Sequence, residues 1–180
     1  MLTRRQFQDA QQRAAALIDR AGIFITPAER GRIDVADFGL GALEREGVQI
    51  LTCFATDRIA AKILVQFPGQ TEPEHWHPPV GTDPGKEETV RAVFGTLYFY
   101  IPGPDTLRHG RIPPGKEGVF TCRHEIVLQP GDQLTLPPGR KHWFQAGATG
   151  AVFYSFSTCV RDGLDGFTDP AVVRQTQIVE

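Results

Sequence analysis

The chain has 180 residues, of which 41% are hydrophobic, with 19 Lys and Arg against 21 Asp and Glu. A net charge of −2, with both signs dispersed, excludes the basic stripe of a nucleic-acid binder, and no acidic tail or membrane-surface helix occurs. Cys53, Cys122 and Cys159 are odd in number and fit neither a disulfide framework nor a zinc ribbon. No apolar run follows the basic N-terminus, so it does not read as a signal peptide. The longest apolar stretch, near Ile59 to Phe67, is too short to span a bilayer and contains Lys62. These features predict a soluble protein of a reducing, cytoplasmic setting, with one core.

The first predicted element is a helix. Thr3 and Gln6 fit a capping box, and Phe7, Ala10, Ala14, Leu17, Ile18 and Ala21 form one apolar face up to a stop at Gly22. Thr26-Pro27 reads as the cap and first turn of a short second helix reaching Ile33. From Asp37 onward the pattern becomes one of short β-branched or aromatic runs. They cover Val48–Ala55, Arg58–Phe67, Thr89–Ile101, Arg123–Leu128, Gln133–Leu136, His142–Ala146 and Ala151–Ser157. Pro-Gly and Pro-Pro turns punctuate them, among them Pro68-Gly69, Pro84-Gly85, Pro130-Gly131 and Pro137-Pro138-Gly139. The pattern predicts an all-β sandwich, jelly roll or barrel over 37–180, with the helical segment 1–36 packed outside it or at a dimer contact.

The chemistry gathers around Glu74-His75-Trp76-His77-Pro78-Pro79. Two histidines at i and i+2 of a strand put both imidazoles on one face. Glu88 opens the next strand, where period two groups it with Val90, Ala92 and Phe94. A carboxylate directed into such an interior needs a partner, and a metal ion is a good one. His142 follows the Pro137-Pro138-Gly139 turn, with Phe144 on its face. Three imidazoles and one carboxylate, with no thiolate, suit Mn, Fe, Co, Ni or catalytic Zn with open positions. Trp76 and Trp143 alternate with these residues and are expected to point away. His124 is read as structural and His109 as solvated.

These residues resemble the two cupin motifs. Gly69, His75, His77, Glu88 and Gly95 follow the first; Gly131, Pro137, Gly139 and His142 follow the second. The insert between His77 and Glu88 is longer than the common pattern, and Ala146 stands where the second motif usually has Asn. Longer stretches look like the D-lyxose isomerase family. They are Asp37-Phe38-Gly39-Leu40-Gly41, Phe67-Pro68-Gly69-Gln70-Thr71, Gly85-Lys86-Glu87-Glu88-Thr89, His142-Trp143-Phe144-Gln145-Ala146-Gly147 and Phe167-Thr168-Asp169-Pro170. The resemblance implies a cupin jelly-roll barrel and a manganese-dependent aldose–ketose isomerase acting on a small sugar, commonly as a homodimer. It places the metal ligands on His75, His77, Glu88 and His142, and a lysine that contacts substrate oxygen or shuttles a proton on Lys86. In the family an acid often lies two positions before a Ser-Thr step; here that place is Ser155. Glu74, Asp162 and Asp165 are the replacements expected to contact substrate, although either aspartate also fits an ordinary turn. A cupin dioxygenase and a non-catalytic sugar-binding cupin are the competing function classes.

Overall fold

The computed structural model describes residues 1–180. In chain order the elements are β1 (Leu2–Thr3), α1 (Arg4–Arg20), α2 (Pro27–Arg30), β2 (Asp34–Ala36), β3 (Val48–Ala55), β4 (Ile59–Gln66) and β5 (Thr71–Trp76). There follow β6 (Glu88–Ile101), β7 (His124–Leu128), β8 (Gln133–Leu136), β9 (His142–Thr158), the 3₁₀ turn η1 (Asp162–Leu164), β10 (Gly166–Phe167) and β11 (Ile178–Val179). Both halves of the Thr3/Gln6 capping box form, and α1 buries Ala10, Ala14, Leu17 and Ile18. The second helix is one turn, shorter than its sequence pattern predicts, although Thr26 and Glu29 close a second capping box. No helix is long and apolar enough to cross a membrane.

β9 organises the barrel. Its first residues pair with β5, its later residues with β4, and most of its other edge with β6. The two runs read as separate strands, His142–Ala146 and Ala151–Ser157, are therefore one strand of 17 residues. A sheet ordered β10-β5-β9-β4-β3-β2, with β6 carrying β7 and β8, curls into a jelly-roll barrel. Alternation along β3 and β4 sorts two cores. Leu51, Ile63 and Val65 face outward and pack with Phe67 and Val152 under α1. Ile50 and Leu64 face inward with Val90, Ala92, Phe99, Phe144 and Phe153. Each fully buried Leu or Ile stabilises the fold by about 1.5–3 kcal/mol relative to exposure.

Bulges override period two at two places that matter. A register shift between Ala92 and Phe94 turns Phe94 outward, onto the α1 cluster, so it does not share the face of Val90 and Ala92 as simple alternation predicts. Another, between Glu72 and His75, puts both residues inside. The segment between β6 and β7 covers the outer face of the barrel, where Trp143 is fully buried, stacks on Tyr100 at 3.8 Å and meets Phe120 edge-on. The indole Nε1–H of Trp143 donates to the Cys122 carbonyl at 2.8 Å. His109 is exposed, as its polar loop predicts, and its Nδ1 lies 2.6 Å from the Glu125 carboxylate.

After β9 the chain crosses the barrel mouth as a strap. β10 extends the edge of β5, and β11 pairs in parallel with β1. Phe38, the one non-glycine residue with positive φ (52°), is buried against Phe167, and its carbonyl accepts a bond from Val173 N at 2.8 Å. An uncommon conformation held this firmly serves to seat the strap.

Where β6 crosses β9, Gly95 has φ +71°, and a Cβ there would sit 1.9 Å from the Gly150 carbonyl oxygen. Gly95→Ala is expected to destabilise the fold by about 2 kcal/mol or more and to lower the melting temperature by about 4 °C or more. Thermal unfolding followed by circular dichroism checks this; an unchanged midpoint would contradict it.

Candidate metal centre

Three strands converge at one end of the barrel. β5 supplies His75, the residue just past its end supplies His77, β6 opens with Glu88, and β9 opens with His142. His75 and His142 are direct cross-strand partners, with ring centroids 4.1 Å apart. Ring nitrogens of His75, His77 and His142 lie within 4.8 Å of one another, close enough for one metal ion to meet all three. Glu88 joins them: its Oε2 is 3.0 Å from His77 Nε2. All four residues are buried.

Backbone carbonyls select the tautomers. His75 Nδ1 lies 2.9 Å from the Pro73 carbonyl and His142 Nδ1 lies 2.8 Å from the Arg140 carbonyl. A carbonyl only accepts, so each Nδ1 carries the proton and each Nε2 keeps its lone pair. Burial and the neighbouring imidazoles hold His75 well below the usual histidine range and bring His142 down to about 4. Both rings are neutral at physiological pH. For Glu88 burial favours the acid, but Lys86 and His77 win and hold its carboxyl well below the usual range. Ser155 Oγ donates to Glu88 Oε1. For His77 burial disfavours the charge, but its bonds to Asp165 and Glu88 outweigh this and raise its pKa instead. Two neutral imidazoles with free Nε2 lone pairs, a third imidazole and an ionised carboxylate make a mixed N/O donor set that fits a divalent metal.

Supports reach these residues from outside. Asp165 Oδ1 in the strap lies 2.8 Å from His77 Nδ1, an arrangement that fixes and polarises an imidazole ligand. The Lys86 ammonium is 3.4 Å from Glu88 Oε2 and 3.9 Å from Asp162 Oδ1. Burial disfavours its charge, but Glu88 and Asp162 outweigh this and raise its pKa, so Lys86 remains a proton donor. Gly85, at φ +106°, makes this reach possible, because a Cβ there would meet the His77 carbonyl oxygen at 2.5 Å. Asp162 is bonded to Lys62 and lies 3.6 Å from Arg174 Nη2. Burial would raise its pKa, but Lys62 and Lys86 lower it below the usual range, which makes it a weak base.

Glu74 is not brought to the cavity. Its carboxylate accepts bonds from Thr121 N and Oγ1, Cys122 N and Thr168 Oγ1, all between 2.6 and 2.8 Å. It therefore ties β5 to the outer loop and the strap, on the side of β5 opposite His75. Asp162 and Asp165, by contrast, line the cavity with His75, His77, Lys86 and Glu88. The sequence reading missed Glu72, Lys62 and Arg174, which line it too. Glu72 is buried, its pKa is pushed up to about 8 by burial, and its Oε2 has no hydrogen-bond partner. Pro73 was the available signal, because proline inside a strand marks a bulge, and a bulge reverses the alternation.

No family model matches the sequence. The chain is 49% identical over 174 residues to the D-lyxose ketol-isomerase of Cohnella laeviribosi, which spans 96% of each protein. It is 48% identical over 179 residues to the D-lyxose/D-mannose isomerase of Thermosediminibacter oceani, 99% of each. Among solved structures, the L-ribose isomerase of Cellulomonas parahominis superposes with a TM-score of 0.79 at 17% identity, over 99% of this chain and 98% of that one. The L-ribose isomerase of Acinetobacter sp. DL28 in complex with L-ribose gives 0.81, with the same identity and coverage. At that identity the likeness is one of fold, and the fold is the cupin barrel.

Asp165→Asn leaves His77 with a weaker partner. It is expected to weaken divalent-metal binding by about 10–100-fold while preserving the fold, as measured by calorimetric titration of metal-stripped protein. Wild-type affinity would remove Asp165 from the support of the site.

Proposed function

This chain belongs to the D-lyxose isomerase family and is a sugar isomerase; from that premise we propose that it is a metal-dependent aldose–ketose isomerase interconverting D-lyxose and D-xylulose, and also D-mannose and D-fructose. The observation that carries the reading is the convergence of three imidazoles and the Glu88 carboxylate on a cavity that Lys86 also lines. His75, His77, Glu88 and His142 would hold one divalent ion, Mn²⁺ in first place, with Co, Ni, Fe or Zn as the other candidates of this donor set. When bound, the ion supplies Lewis-acid stabilisation of negative charge developing on the sugar oxygens.

The remaining work falls to the side chains. Lys86, kept charged by Glu88 and Asp162, donates a hydrogen bond to the carbonyl oxygen and holds the proton that must pass from O2 to O1. Ser155 and Asp165 keep Glu88 and His77 in place. The strap limits water at the mouth, which strengthens every charge interaction inside. The same reading includes a cytoplasmic homodimer, for which Phe54, Ile59 and Phe156, exposed on neighbouring strands β3, β4 and β9, offer an apolar face.

Incubation of the Mn²⁺-loaded protein with D-lyxose and D-mannose in deuterated water tests the reading. Ketose should form anaerobically, with deuterium at C1. Oxygen uptake dependent on iron or copper would establish a dioxygenase instead, and sugar binding without exchange a non-catalytic binding protein. Lys86→Ala should keep metal and fold but lose about 10²–10⁴-fold in turnover; an unchanged rate would reduce Lys86 to a loop residue. His77→Ala should lose the metal in elemental analysis.

A further inference from the structure

The isomerisation needs a group that takes a proton from C2 and returns it to C1. Four carboxylates line the cavity: Glu72, Glu88, Asp162 and Asp165. Three are engaged. Glu88 is bonded by Ser155 and His77, Asp162 by Lys62, and Asp165 by His77. Glu72 alone keeps an oxygen, Oε2, that is buried and without any partner. Its other oxygen lies 3.9 Å from His75 Nε2, close to the ligand cluster but outside hydrogen-bonding distance. The bulge in β5 puts Glu72 on the inner face beside Phe144, its cross-strand partner. Arg174 lines the same cavity and supplies positive charge there.

An unpartnered buried carboxylate is destabilising unless something uses it. We propose that Glu72 is the catalytic acid–base residue of the isomerisation, with Oε2 as the atom that carries the proton between C2 and C1. This rests on the isomerase reading given above. In the forward direction the C2–H bond breaks and an O–H bond forms on Glu72, while the electron pair becomes the C1=C2 bond of an enediol. The proton then returns from Glu72 to C1 as C2=O forms. The hydroxyl proton moves from O2 to O1 by way of Lys86, so no oxidant or reductant is consumed. Ser155 then needs no acidic character, and its hydroxyl is free to hold Glu88.

The decisive variant is Glu72→Gln, which keeps size and loses basicity. With Mn²⁺ loaded, it should retain wild-type metal content by elemental analysis and wild-type affinity for an unreactive sugar alcohol by calorimetry. It should lose turnover and deuterium wash-in at C1 together, by about 10²-fold or more. A smaller loss would overturn the proposal. Loss of metal from a folded E72Q would also overturn it, by making Glu72 a ligand. Should E72Q not fold, Glu72→Asp replaces it, with kcat expected to fall at least about tenfold at unchanged KM and metal content; an unchanged kcat would overturn the proposal. Wild-type protein that forms no ketose from any aldose would refute the isomerase reading itself, a result distinct from an active E72Q.

Discussion

One extra residue in β5 decides which side chains meet. Thr71 and Glu72 pair with Gln145 and Phe144 in one register; His75 pairs with His142 in the next. Without the shift, Glu72 and His75 would face opposite sides of the sheet. With it, a carboxylate, two imidazoles and Phe144 share one interior, while Glu74 and Trp76 are turned outward. The outward Glu74 is not idle, because its carboxylate gathers four donors from the outer loop and the strap. The same distortion therefore sets which side chains line the cavity and provides the anchor for the segments that cover it.

The C-terminal strap is tied to the barrel by charge as much as by packing. Asp162 meets Lys62, Lys86 and Arg174; Asp165 meets His77; Arg161 meets Asp83 at 3.0 Å; Lys116 meets Asp169 at 2.7 Å. Exposed pairs of this kind stabilise little, but those at the buried mouth sit in a lower dielectric and hold more strongly. Their geometry links the cover of the cavity to the orientation of His77. A movement that opened the mouth at Asp165 would also loosen an imidazole of the cluster.

Much of this was legible in the sequence. The capping boxes at Thr3 and Thr26, the apolar face of α1, and most strands follow from short-range patterns that act within a few residues. The i, i+2 histidines and the strand start at Glu88 likewise need only local alternation. What escaped was long-range. Glu72 requires a bulge, whose effect on facing depends on a partner strand about 70 residues away. Lys62 reads as an interruption of an apolar run until Asp162 is placed beside it. Glu74 looks like a site residue because it adjoins His75, yet the donors that claim it come from Thr121, Cys122 and Thr168. The role of Ser155 was hidden by comparison with an expected acid, whereas its hydroxyl is a donor to Glu88.

β9 carries His142 at its first residue and Ser155 near its last, and it is shared by both halves of the barrel. The strand that carries His142 and Ser155 is thus also the one whose release would take apart β4, β5 and β6 together. Because both its edges are paired, its backbone amides are expected among the slowest-exchanging in the protein. Motion short of unfolding is therefore expected in the strap and the loop bearing Lys86, with β9 and the residues it carries held in place.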